Sequence, residues 1–254
     1  MKKILFIFLL ISISTMIFSI TLEEVQQAWD QQFPFDNVVT DFTFKVHRGT
    51  RIYEYTGESI QNNRDQELIE ILSPPDDAGK MFYMEEDEIW VFDEECLLNL
   101  NGFELQESFL GSDLTYEEEI SLFILMNDSK IEIYQDDPKE DFFVIKAIRK
   151  RAGKNIINYA LYYVYRENNN NVFKLDLYNN QNILYKRITL SDYRDFNGVQ
   201  IPFYQKVQDM LVKKNYTEVI IDKVEINKAL PPNKMDLYEL QRSLHRGISP
   251  LLCK

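Results

Sequence analysis

The stretch Val38-Val39-Thr40-Asp41-Phe42-Thr43-Phe44-Lys45-Val46 sets Phe42, Phe44 and Val46 on one side and Thr43, Lys45 and then His47 on the other. That two-residue period marks a half-buried β-strand, because successive side chains leave a strand on opposite faces. Arg48-Gly49 turns the chain, and Arg51 to Ile60 continues it as a second strand. The same reading carries forward through Leu68–Leu72, Met81–Met84, Ile89–Phe92 and Cys96–Leu100. Strands resume at Lys130–Tyr134, Phe142–Ile148, Tyr159–Tyr165, Val172–Tyr178, Ile183–Tyr193, Gln200–Met210 and Tyr216–Val224. Turn residues separate them, among them Ser73-Pro74-Pro75-Asp76-Asp77, the acidic run Glu85–Glu88, Asn179-Asn180 and Asn197-Gly198.

Three stretches break this pattern. Thr21–Phe33 reads as a helix: Leu22, Val25, Trp29 and Phe33 share a face, Thr21 and Glu24 form a capping box, and Pro34 ends it. Ser112–Leu125, with Leu114, Ile120 and Phe123, reads as a short helix or two inserted between strands, capped by Ser112 or Asp113. Asp236–Arg246 carries Leu237, Leu240 and Leu244 on one face. No Pro/Gly/Ser-rich linker divides the chain. The expected fold class is mainly β (α+β): a single large curved antiparallel sheet forming an incomplete β-barrel, with helices covering its open face. A sheet curled round a space suits an apolar ligand if Phe, Tyr, Trp and Ile line it.

Of 254 residues, 28 are Lys or Arg and 41 are Asp or Glu, a formal charge of −13. A hydrophobic share of 45% supports a large core and excludes global disorder. The acidic balance argues against nucleic-acid binding and against attachment to an anionic membrane by net charge. Met1-Lys2-Lys3 followed by the apolar run Ile4–Ile20 reads as a signal peptide over residues 1–20, with a membrane anchor as the alternative. Removing it takes away Lys2 and Lys3 and leaves the domain 21–254 with a charge of −15. Cys96 and Cys253 are either one disulfide or two separate thiols. His47 and His245 are the only histidines, and no nucleophile elbow, zinc-protease motif, P-loop or Cys-based metal spacing occurs. The acid clusters Glu85–Glu88, Asp93–Glu95, Glu117–Glu119 and Asp136–Asp141 lack EF-hand spacing and read as solvated turns. The expectation is a protein that is not an enzyme, with no cofactor, no metal and no nucleic-acid partner.

Three segments carry a family resemblance. Ser73-Pro74-Pro75-Asp76-Asp77-Ala78-Gly79-Lys80-Met81-Phe82 is followed by Ile89-Trp90-Val91-Phe92. Gly111-Ser112-Asp113-Leu114-Thr115-Tyr116-Glu117-Glu118 comes next, and then Leu190-Ser191-Asp192-Tyr193 with Asn197-Gly198-Val199-Gln200-Ile201-Pro202. In order and spacing they resemble the outer-membrane lipoprotein-sorting proteins, relatives of the periplasmic carrier LolA, over about residues 21 to 245. Leu114 and Glu118 stand where Phe and Asp are common in that family. The resemblance implies an incomplete barrel plugged by helices and a cavity that shields lipoprotein or lipid acyl chains in transit through the periplasm. It also implies an inner-membrane exporter of the ABC or RND type, an outer-membrane acceptor and transient membrane contact. A sensor of the same fold, bound to an envelope-stress partner, is the alternative.

The apolar cavity candidates are Phe42, Phe44, Val46, Phe82, Met84, Trp90 and Phe92. Trp90 and Phe92 share a strand face, together with Phe82 and Met84 or with their neighbours. Each of these residues is equally at home in an ordinary core. Gly111, Ser112, Asp113, Thr115 and Tyr116 are the candidate lid or rim, with a structural cap as the simpler reading.

Overall fold

The computed structural model describes residues 35–63, 66–85, 88–93, 96–119, 129–149, 157–166 and 171–244. Strands β1 (Asn37–Arg48), β2 (Arg51–Asn62), β3 (Gln66–Ser73), β4 (Met81–Glu85), β5 (Glu88–Asp93) and β6 (Cys96–Asn99) lead the chain. Then come β7 (Ser129–Gln135), β8 (Phe142–Arg149), β9 (Ile157–Tyr165), β10 (Val172–Asn179), β11 (Leu184–Phe196), β12 (Val199–Asp209) and β13 (Asn215–Ile226). Helix α1 (Leu237–Leu244) follows them. The strand expected at each apolar run is present.

All thirteen strands form one sheet in the order β6-β5-β4-β3-β2-β1-β13-β12-β11-β10-β9-β8-β7. Two antiparallel meanders meet where the first strand pairs with the last, Phe44 opposite Val219 and Val46 opposite Thr217. β6 and β7, consecutive in sequence, are the two edges, so the sheet is curved and does not close into a barrel. Residues 101–119, which follow β6, add no strand to the sheet. β6 has only four residues, and Lys130 and Glu132 stand on β7. Short and charged edges resist pairing with a second chain.

Register assigns the faces, because directly paired residues point to the same side. Phe42 opposes Gly57 and Phe44 opposes Tyr55. Gly57 opposes Ile71 and Ser59 opposes Ile69. Ile69 then opposes Phe82, and Glu67 opposes Met84. Beyond β13, Val219 opposes Gln205, which opposes Leu190. One continuous face therefore carries Phe42, Phe44, Val46, Ile69, Ile71, Phe82, Met84, Ile201, Phe203 and Val219 in one buried cluster. It also carries Ile145, Tyr162, Leu175, Leu177, Ile188, Leu190 and Val207 in a second. Each large apolar side chain so buried contributes about 1.5–3 kcal/mol. On the opposite face Leu68, Tyr83 and Phe92 pack under Leu237 and Leu240 of α1.

The helix expected at Thr21–Phe33, the signal peptide at 1–20 and Cys253 lie outside the described residues, as do residues 120–125 of the expected insert.

Candidate functional site: a covered apolar face

The chain leaving β6 crosses the first face. Phe109, Leu105, Leu110 and Tyr116 enter the first cluster, and Leu114 packs on the second. Phe109 sits at the centre of an aromatic group. Its ring centroid lies 4.8 Å from that of Phe82, 5.9 Å from Phe44 and 5.7 Å from Tyr116. Offset and edge-to-face rings at these separations are mutually attractive.

The cover is a tight loop closed on itself. The Phe109 N–H donates to the Leu114 carbonyl at 2.9 Å, and the Tyr116 N–H to the Glu107 carbonyl at 3.1 Å. Leu110 and Gly111 both take left-handed backbone, with φ of 49° and 70°. Gly111 adopts it without strain, which explains a glycine there.

Polar ties hold the loop to the sheet. The Asp113 carboxylate, almost wholly buried, accepts from Arg48 Nη1 at 2.8 Å and from the Thr217 hydroxyl at 2.9 Å. The Asp113 N–H returns a bond to Thr217 at 3.0 Å, and Arg48 Nη2 reaches the Gly111 carbonyl at 2.6 Å. Ser112 Oγ accepts from the Leu114 N–H, also at 3.0 Å. The helical turn at 116–119 starts from Thr115, not from Ser112 or Asp113 as the sequence suggested. Glu118 accepts from the Thr115 N–H at 2.8 Å and Thr115 Oγ1 accepts from the Glu118 N–H at 3.2 Å, a reciprocal capping box. The signal was present as Thr115-Tyr116-Glu117-Glu118. Ser112 and Asp113 instead fasten the turn before it.

Carboxylates lie beneath the cover. Glu118 pairs with Lys186 of β11, both buried. Glu67 of β3 accepts from the Ser59 hydroxyl at 2.6 Å, and its other oxygen is buried with no bonded partner among the described residues. Burial pushes the Glu67 carboxyl up to about 7. Burial, then the charges of Glu67 and Glu118, push Glu119 up to about 8 against the opposing pull of Lys186. Glu119 thus feels charges from β3 and from β11. Those strands stand five places apart in the sheet order, about 24 Å if flat. Their convergence on one residue is a direct sign of how far the sheet curls.

The candidate residues divide by face. Phe42, Phe44, Val46, Phe82 and Met84 come together under the cover with Tyr116. Trp90 opposes Tyr83, and Phe92 opposes Met81, so both point to the α1 side. Phe92 is buried there and Trp90 is partly exposed. Phe109 and Glu67 were not singled out from sequence, and the expectation that Glu117–Glu119 is a solvated turn is corrected by the burial of Glu118 and Glu119 under the packed loop. Phe109 sits just ahead of Gly111, and the acids are indistinguishable from solvated ones until the cover is placed.

A family model described as "Uncharacterized protein" matches residues 63–242. The chain belongs to this family, and its fold is LolA-like. A DUF1329-family protein from Desulfovibrio piger superposes with a TM-score of 0.75 at 15% identity, covering 86% of this chain and 97% of its own. A domain from Vibrio parahaemolyticus, described as an outer-membrane lipoprotein-sorting protein, gives 0.73 at 14% over 87% and 97%. A LolA-superfamily protein from Nitrosomonas europaea gives 0.68 at 15% over 84% and 96%. No curated protein matches the sequence. In this LolA-like fold no described helix is long and apolar enough to cross a membrane, and no described cluster of acids, His or Cys could hold a metal.

Proposed function

We propose that the chain is a periplasmic carrier that takes acyl chains of a lipoprotein or lipid onto its covered apolar face and moves them towards the outer membrane. The observation that supports this most is the form of the cover. It fills the face with Phe109, Leu114 and Tyr116, yet side-chain ties to Arg48, Thr217 and Lys186 hold it there, and it adds no strand to the sheet. Such a cover can lift without unpairing β-strands. An acyl chain entering beneath it would replace those side chains and gain about 0.8 kcal/mol per buried CH₂. Phe42, Phe44, Val46, Phe82 and Met84 are the proposed lining. Gly111, Ser112, Asp113, Thr115 and Tyr116 are the proposed lid. An inner-membrane exporter of the ABC or RND type would load the carrier and an outer-membrane acceptor would empty it. The residues do binding and release, with no bond chemistry. Native mass spectrometry of the purified protein should show a bound acyl lipid. Lipid-free protein that also fails to take up a fluorescent fatty acid overturns the reading.

A further inference from the structure

Three neighbouring hairpin turns project from the same end of the sheet. Arg48 pairs with Arg51 across the β1–β2 turn and with Asn215 of β13, and Lys186 of β11 pairs with Asp209 of β12. The β1–β2, β12–β13 and β10–β11 turns therefore stand side by side. Each shows apolar side chains to solvent: Ile52 is 60% exposed and Tyr53 45%, Leu211 67% and Val212 49%, and Ile183 43%. These exposures are built in. Asp209 Oδ1 accepts the N–H groups of Leu211 and Val212 at 2.7 and 2.9 Å. Asn179 Oδ1 accepts those of Gln181 and Ile183 at 2.9 and 3.0 Å.

Charge at this end runs against the chain. Arg48 is paired with Asp113, while Arg51, Lys213 and Lys214 face one acid in these turns, Asp209, in a protein with 41 acids and 28 basic residues. Glu85, Glu88 and the acidic run Asp136–Asp141 stand at the opposite end. Asp76, Asp77 and Asp93 belong to connections set back along the sheet, where Ser73 pairs with Thr56. Net charge alone argued against an anionic membrane, but the distribution of charge favours one at this end.

We propose that the three turns dock on an anionic lipid bilayer, with Ile52, Tyr53, Ile183, Leu211 and Val212 in the headgroup layer and Arg51, Lys213 and Lys214 on phosphates. Amphipathic and apolar tips flanked by cations suit that interface. The contact deepens the carrier reading. Arg48 binds Gly111 and Asp113, so docking brings the cover's main tie to the lipid.

The test is flotation of the purified chain with vesicles of phosphatidylcholine alone or mixed with phosphatidylglycerol. Binding through the apolar Ile4–Ile20 stretch is common to all variants and serves as background. The chain should favour the mixed vesicles, less so at high salt. K213E/K214E should cut the partition into mixed vesicles about tenfold or more. Leu211→Ser with Val212→Ser should lower it several-fold. These sites are exposed, and an unchanged urea midpoint would confirm that the variants fold. Equal partition into both vesicle types, or K213E/K214E indistinguishable from the parent, overturns the proposal. So does a concentration-dependent dimer abolished by Leu211→Ser, which would assign the surface to a second copy. Acyl loading of the same variants, read by native mass spectrometry, should be unchanged. A docking failure with loading intact therefore leaves the carrier reading standing.

Discussion

Glu67 and Glu119 give the cover a pH dependence whose sign follows from burial. Their folded-state carboxyls titrate near 7 and 8, against about 4.5 in an unfolded chain. Between those limits the folded protein holds protons that the unfolded chain has lost, so stability falls as pH rises from about 5 to 8. Each such proton makes the slope about 1.4 kcal/mol per pH unit. Urea midpoints measured from pH 5 to 9 should decline over this range, and Glu67→Gln should flatten the decline. A midpoint that rises with pH would contradict the assignment. Glu118, next in the chain to Glu119, is also buried and pairs with Lys186. Nothing in Thr115-Tyr116-Glu117-Glu118-Glu119 distinguishes the buried pair from surface acids. The capping box in the same letters, by contrast, was readable.

At the scale of the element, β1 and β2 depend on a missing side chain. A Cβ built on Gly57 would lie 2.5 Å from Phe42 Cζ and 2.6 Å from the Glu70 carbonyl oxygen. The Phe42 ring occupies the space above its paired residue, and the backbone of β3 blocks the other escape. Gly57→Ala should therefore destabilise the protein by about 1–3 kcal/mol, as overpacking does. It should do so although alanine is no worse than glycine in strand propensity. Chemical denaturation measures the cost. A neutral result would mean that the ring is free to move. Strand positions were legible because each run of alternation is local. The faces of short strands were not: β4 and β5 are apolar on both sides. Only the register that pairs Phe82 with Val91 and Tyr83 with Trp90 sends Trp90 and Phe92 towards α1.

For the whole molecule, two kinds of attachment predict two levels of stability. The strands of both meanders are tied by long antiparallel ladders, with β1 bonded along most of its length to both β2 and β13. The cover at residues 105–119 is tied by side chains and by its aromatic plug. Cooperative units with few backbone ties to the rest open first. Hydrogen exchange should show the amides of residues 108–116 exchanging through an opening that leaves β1, β12 and β13 protected. Replacing Asp113 by Asn should speed that opening selectively, since it weakens a charge-assisted bond to Arg48. Uniform exchange of cover and sheet would show instead that the face is never uncovered without global unfolding. The same view of the whole shows why the acidic balance alone does not describe any one surface of the protein. A sum of charges carries no position, and the meander sends the hairpins beyond β13 to one end.

The sequence by itself determined the strands, the absence of a dividing linker, the turn at Gly111 and the mainly β class. Each depends on periods, turn residues and backbone preferences that act over a few neighbours. Tertiary structure decided the pairing of β1 with β13, the open edges at β6 and β7, and which aromatics share the covered face. It also decided the ionisation of Glu67 and Glu119 and the gathering of cations and apolar tips at one end. Those properties arise from contacts between residues far apart in the chain, such as Arg48 with Asp113 and Glu118 with Lys186. A side chain's solvation and charge environment exist only once the sheet has curled and the cover has closed on it.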